Sequence, residues 1–171
     1  MKGDAQRTER DLPRGVAVLE SGVLVHFDGA CEPSPTGRIA CWAFVAEGPD
    51  FAHEESGLAA APGSPSATNN VAEYLGAIRA LEYLRQRGYR GPVTLLGDSQ
   101  LVIRQFRGEY AVRTEHLKAY HDRLHQLARE FPKVEFFWVP RRQNQRADAL
   151  TKQAVASVRR TLPHSSGSRE S

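Results

Sequence analysis

The feature that most constrains this chain is a change in the spacing of its apolar residues. Up to about residue 60 they fall in short β-branched and aromatic runs, and beyond it they recur at helical spacing with strand-like runs between. Val23-Leu24-Val25-His26-Phe27 stops at the turn dipeptide Asp28-Gly29 and predicts a first strand entering a turn. Ile39 to Ala46, with Trp42, Phe44 and Val45, and a weaker run from beyond Asp50 to Leu58 predict two antiparallel, hairpin-linked strands. Val71, Leu75, Ile78, Leu81 and Leu84 predict a helix over 69–86, with Asn69 available as its cap and Gly88 as its stop. Pro92 to Leu96 reads as a strand ending at Gly97-Asp98, and Ser99 to Phe106 as a short helix capped by Asp98 or Ser99. Leu117, Tyr120, Leu124, Leu127 and Phe131 mark a long amphipathic helix from about Thr114. Val134 to Val139 follows as a strand, and Asn144 to Val158 as a last helix with Ala147, Leu150, Ala154 and Val158 inward. The order β-β-β-α-β-α-α-β-α predicts an α/β fold: a five-stranded mixed sheet with helices on both faces.

A length of 171 residues accommodates one such core. The expected domain is 22–158, between flexible segments at 1–20 and 159–171. With 40% hydrophobic and 25% charged residues the chain is not disordered throughout. It has neither a membrane-length apolar stretch nor an apolar export region near Met1, so a cytoplasmic protein is expected, with no membrane partner, no obligatory protein partner and a monomeric state. Cys31 and Cys41 form no disulfide framework and no metal-binding spacing. The net charge of +3 permits a polyanionic partner without requiring one.

Four acids stand out by position. Asp28 closes the first strand, Asp98 closes the fourth, and Glu73 and Asp148 lie on predicted helices. Each has an ordinary reading alone: a turn residue, a helix cap, or a solvated helix face. Their neighbours argue against it. Glu73 has Asn69, Asn70, Gly76 and Ala77 at i±3 and i±4, so its own helix supplies no cation, and these small or neutral residues suit close approach to the sheet. Asp148 is flanked by Ala147, Ala149 and Leu150, although Lys152 at i+4 offers a partner. If the two strands that end in Asp run parallel and adjacent, Asp28 and Asp98 share one carboxyl edge, where α/β sheets carry their sites. Clustered carboxylates repel unless a cation holds them, and oxygen donors without His or Cys select hard ions, Mg²⁺ first and Mn²⁺ next.

Val25-His26-Phe27-Asp28-Gly29-Ala30, Thr68 to Tyr74, Gly97 to Val102 and Trp138 to Leu150 together resemble type 1 ribonuclease H, in the family's order and over about 22–158. The resemblance implies a ribonuclease H-like fold. It also implies hydrolysis of the RNA strand of RNA/DNA hybrids, giving 5′-phosphate and 3′-hydroxyl ends. Asp28, Glu73, Asp98 and Asp148 match the acids that hold two Mg²⁺ ions, with Mn²⁺ as a substitute; Asp28 would bridge the ions and Asp148 would be the most mobile ligand. Asn70 and Gln100 match residues that reach the minor groove, and Thr68 one that touches a DNA phosphate. Asn69 could serve in contact or in capping. Ser34 stands where the family often has Asn, a shorter reach to the groove.

Other departures concern the substrate. Arg107 to Thr114 is too short for the basic, Trp-containing protrusion of many members, which predicts looser and more salt-sensitive hybrid binding. The loop 140–145 lacks the family's His; Arg141, three before Asn144, could act there electrostatically but not as a base, and Arg141 and Asn144 are both expected at the substrate. His121 and His125 have the i,i+4 spacing of zinc helices but no acidic partner motif, and are expected on a solvated helix face. Two other functions compete. A 3′→5′ exonuclease expects Asp-x-Glu on the first strand, and Asp28-Gly29-Ala30 lacks the Glu. A non-catalytic hybrid- or double-stranded-RNA-binding module would tolerate loss of acids, and all four are present.

Overall fold

A computed structural model describes residues 22–162; the expected flexible segments at 1–20 and from 163 onward lie outside the described residues. Strands β1 (Val23–Ser34), β2 (Gly37–Glu47) and β3 (Ala52–Leu58) form an antiparallel meander. Helix α1 (Asn69–Gln86) leads back to β4 (Val93–Gly97), which pairs parallel with β1. Helices α2 (Gln100–Phe106) and α3 (Glu115–Ala128) lead to β5 (Val134–Trp138), parallel to β4. A 3₁₀ turn (Arg141–Gln143) then feeds α4 (Gln145–Thr161). The sheet order is β3-β2-β1-β4-β5, so the predicted element order and mixed sheet are found.

Both faces of the sheet carry helices for a reason visible along β1. Val23, Val25 and Phe27 alternate toward α1 and join Phe44, Tyr74, Leu81 and Leu95 in the main core, which α3 closes from beyond α1. On the other face α4 lies across β1, β2 and β3 over a smaller cluster of Ile39, Cys41 and Val155. Cys31 and Cys41 are free thiols.

Several elements differ from expectation. Asp28-Gly29 is not a turn: β1 runs on through it to Ser34, and Gly29 has no positive φ. The glycine is there for space, because a Cβ on it would lie 2.4 Å from the Glu73 backbone nitrogen. The hairpin turn comes later, where the Ser34 hydroxyl donates to the Gly37 carbonyl at 2.6 Å and Gly37 takes φ +121. The cap of α1 is Thr68, whose Oγ1 accepts from Val71 N, and not Asn69. Ser99, one of the two residues expected, caps α2. Helix α3 ends at Ala128, and Phe131 is buried just beyond it. Helix α4 runs past Val158 to Thr161, so the body extends into the segment expected to be flexible, and Arg159 lies 3.7 Å from Glu32 on β1. Its buried residues are Ala147, Leu150, Thr151 and Val155; Ala154 and Val158 are only half-buried, since the helix is turned so that Thr151 meets the sheet. His121 and His125 are half-buried rather than fully solvated: His121 pairs with the Gln105 carbonyl at 3.2 Å, and His125 stacks on Phe106 with ring centroids 4.4 Å apart.

Candidate active site

Parallel pairing of β1 with β4 sets the first two acids. Val25 lies opposite Leu95 and His26 opposite Leu96, so continuing that register two residues brings Asp28 level with Asp98, which follows the end of β4. Small residues allow the approach. A Cβ on Gly97 would strike the Phe27 ring at 2.6 Å, and one on Gly76 of α1 would meet the Asp28 carbonyl at 2.9 Å and the Ala43 carbonyl at 3.0 Å. With Gly76 against β1 and Gly29 against Glu73, α1 sits close enough to put the Glu73 carboxylate beside Asp28. Carboxylate oxygens of Asp28, Glu73 and Asp98 lie within 4.8 Å of one another.

The electrostatics are those of a site short of positive charge. Asp28 is 3% exposed, and its pKa is pushed up to about 7 by burial first and then by Asp98 and Asp148. Bonds from the Gly29 backbone and the Thr151 hydroxyl partly offset that rise. Glu73, 5% exposed, is raised well above the usual carboxylate range by burial and by Asp28 and Asp98, against bonds from Asn69 and Gly29. Its Oε2 is buried without a hydrogen-bond partner. A buried acceptor left unpaired is costly, and a divalent cation would satisfy it while cancelling the repulsion of the three acids. The donors are all oxygen, so the set fits a hard divalent ion.

The fourth acid stands apart from this group. Asp148 is near enough to raise the pKa of Asp28, but it lies on α4 and is engaged by Lys152, Nζ to Oδ2 at 3.1 Å. Arg141, 76% exposed in the 3₁₀ turn, places Nε 3.8 Å from Asp98 Oδ2. Asn69, Arg141, Asp148 and Lys152 border one open cleft beside Gly29 and Glu32.

The residues expected at the substrate divide. Asn70 and Gln100 are exposed at the starts of α1 and α2, where Gln100 accepts from Arg104 Nε at 3.2 Å. Thr68 and Ser34 are occupied with the cap and the hairpin turn, and Asn69 with Glu73. Asn144 is not at the surface: it is 1% exposed, and its Nδ2 donates to the Phe27 carbonyl at 2.9 Å. It ties the start of α4 to the strand residue preceding Asp28. One site residue was missed. The Thr151 hydroxyl, fully buried, lies 3.2 Å from Asp28 Oδ2 and 2.7 Å from the Asp148 carbonyl. The signal available was a lone hydroxyl at i+3 from Asp148 on an otherwise apolar stripe.

Comparison with known proteins bears on the fold and the family. Residues 55–154 match the family described as reverse transcriptase-like. The chain is 34% identical over 135 residues to ribonuclease HI of Halobacterium salinarum, covering 78% of this chain and 64% of that protein. It is 37% identical over 89 residues to a bifunctional protein of Mycobacterium tuberculosis, of which it spans 24%. The chain thus covers less than two thirds of these relatives' lengths. Among solved structures, ribonuclease H1 of Halobacterium salinarum superposes with TM-score 0.68 at 33% identity, over 80% of this chain and 98% of that one. The N-terminal ribonuclease H domain of the Mycobacterium tuberculosis protein gives 0.70 at 28%, over 82% and 98%. LC11-RNase H1, solved in complex with an RNA/DNA hybrid, gives 0.68 at 30%, over 80% and 98%. By sequence, topology and the placement of its acids, the chain belongs to the ribonuclease H family, in its type 1 branch.

Proposed function

We propose that this chain is an endonuclease that hydrolyses the RNA strand of RNA/DNA hybrids, leaving 5′-phosphate and 3′-hydroxyl ends. The observation that carries the reading is the close group of Asp28 within β1, Asp98 just past the end of β4 and Glu73 on α1, with an unpartnered oxygen on Glu73. The complex of its relative LC11-RNase H1 with an RNA/DNA hybrid points to the substrate class.

The metal in this reading is Mg²⁺, two ions held by Asp28, Glu73, Asp98 and Asp148, with Mn²⁺ as a substitute. Bound there, the ions would supply a nucleophilic water at neutral pH and charge stabilisation of the leaving 3′-oxygen in an in-line displacement. The chain's own residues do the rest. Asp28, which neighbours the other three acids, would be the central ligand of the set. Asp148, paired with the exposed Lys152 through Oδ2, would be the most mobile of the four ligands. Arg141 stays protonated, so it offers fixed positive charge beside Asp98 and exchanges no proton. Asn70 and Gln100 lie at exposed helix starts suited to reading the 2′-hydroxyl in the minor groove, with Asn69 and Ser34 beside the cleft and the hairpin, and Thr68 toward a DNA phosphate. The enzyme is taken as a cytoplasmic monomer that needs no protein partner; among the described residues no helix is long and apolar enough to cross a membrane.

The test is cleavage of an end-labelled hybrid beside single-stranded RNA, double-stranded RNA and double-stranded DNA, with and without Mg²⁺. Cutting confined to the RNA of the hybrid and dependent on Mg²⁺ is expected. If no substrate is cut while Asp28→Asn and wild type bind hybrid equally, the chain is a binding module instead.

A further inference from the structure

Thr151 is a buried hydroxyl in apolar company. It is 0% exposed on the stripe of α4 that carries Ala147, Leu150 and Val155 against the sheet. An apolar side chain would fill that place without the penalty of desolvating a hydroxyl. The hydroxyl has partners on both sides. Its bond to the Asp148 carbonyl, three residues back and 2.7 Å away, is the ordinary way a helical threonine satisfies itself. The contact at 3.2 Å with Asp28 Oδ2 is not local: it joins residues 123 positions apart, across the boundary between α4 and β1. A threonine hydroxyl has one proton to give and both partners are acceptors, so it shares that proton between the Asp148 carbonyl and the Asp28 carboxylate, a three-centre bond that spans the two elements.

We infer that Thr151 is a positioning residue for the metal site, fixing the Asp28 carboxylate to the helix that carries Asp148. This rests on the reading of the site proposed above and adds a residue to it. Three ties converge on the same short stretch of β1. Gly29 brings Glu73 up from α1, Asn144 Nδ2 binds the Phe27 carbonyl, and Thr151 Oγ1 reaches the Asp28 carboxylate itself. The Gly29 backbone and the Thr151 hydroxyl both act on the Asp28 carboxylate, and of the two Thr151 is the one that belongs to α4. A bond on Oδ2 restricts rotation of the carboxylate and leaves its other lone pairs to a cation, as hydrogen-bonded partners of metal-binding carboxylates generally do. Because Thr151 and Asp148 lie in one turn of α4, the bond also couples the orientation of Asp28 to the turn that carries Asp148.

Thr151→Val keeps the branched shape and removes the hydroxyl, whereas Thr151→Ser keeps the hydroxyl and removes the methyl. Mn²⁺ and Mg²⁺ binding to the full chain without nucleic acid, measured by titration calorimetry, is compared for wild type and both variants, with melting temperature as the check on packing. Thr151→Val is expected to weaken cation binding by about 10-fold or more, with Thr151→Ser within about twofold of wild type. With hybrid, the Mg²⁺ concentration for half-maximal cleavage should rise for Thr151→Val, and added Mg²⁺ should recover most of kcat. Unchanged cation affinity in Thr151→Val overturns the inference. So does equal loss in both variants that tracks their melting temperatures, which assigns Thr151 to packing alone. If wild type binds the cations but cuts no hybrid, the proposed activity fails and the calorimetric comparison still decides the role of Thr151.

Discussion

The two sides of the site are held by different physics. On the α1 side, Asp28 sits within β1, Asp98 just past β4, and Glu73 on a helix pressed against the sheet through Gly29 and Gly76, with two of the acids almost fully buried. On the α4 side, Asp148 and Arg141 are held by pairs that reach solvent, Lys152 being 64% and Arg141 76% exposed. Backbone packing fixes the first group, while exposed ion pairs are worth little and exchange readily. Half of the site is therefore preformed, and the other half can rearrange around a cation and a substrate.

The largest expected effect comes from the preformed side. Asp28→Asn, Glu73→Gln and Asp98→Asn should each reduce cleavage by on the order of 10³-fold, because the several kcal/mol of charge stabilisation that bound metal supplies depends on them. The first two should at the same time raise the melting temperature of the metal-free protein at alkaline pH, where the ionised carboxylate each removes is a buried charge repelled by its neighbours. A melting temperature unchanged or lowered in both would mean that the acids do not strain one another as their geometry implies.

Gly29→Ala tests whether packing sets this side. The added Cβ meets backbone at 2.4 Å, so α1 must retreat, at a cost of about 1–3 kcal/mol and with Glu73 moved away from Asp28. Chemical denaturation and hybrid cleavage should both show the loss. Full stability in this variant would show that α1 is less tightly seated than the structure has it.

The pH dependence follows from the same burial. The folded-state pKa of Asp28, about 7, stands above its ordinary value of 3.8, so between those pH values the folded protein holds more protons than the unfolded chain. Metal-free stability should accordingly be greatest near pH 4 as far as this group is concerned and fall as pH rises toward 7, with Glu73 acting in the same direction. Saturating Mg²⁺ should flatten or reverse that slope, as a ligand of the folded state alone does. Thermal melts across pH with EDTA or Mg²⁺ read this directly.

The smallest effects belong to the α4 side. Asp148→Asn should cost activity on the order of 10²-fold, less than the central three, because it joins an already assembled group. Lys152→Met should change stability by under about 0.5 kcal/mol, the worth of an exposed i,i+4 pair, as measured by denaturant titration. A loss as large as that of Gly29→Ala would erase the distinction between the two sides.

Much of this was legible in the sequence. Periodicity carried the element order, and α1 begins and ends where the spacing of Val71 to Leu84 places it. The small residues around Glu73 signalled close approach to the sheet, which Gly29 and Gly76 bear out. Local signals misled where a residue's role was set by something distant. Asp28-Gly29 has the composition of a turn, yet the glycine clears space for a helix more than forty residues on. Asn144 has the makings of a cap or a contact, but it is drawn inside by the Phe27 carbonyl.

What the sequence determined by itself is the order of strands and helices, the four acids and the i,i+4 partner Lys152 of Asp148, because hydrophobic period and turn chemistry act over a few residues. Tertiary structure alone decided which acids come together first and that Thr151 reaches Asp28. Those outcomes depend on the rotation of α4 over the sheet and on the depth to which α1 sinks, and both are set by packing between residues far apart in the chain.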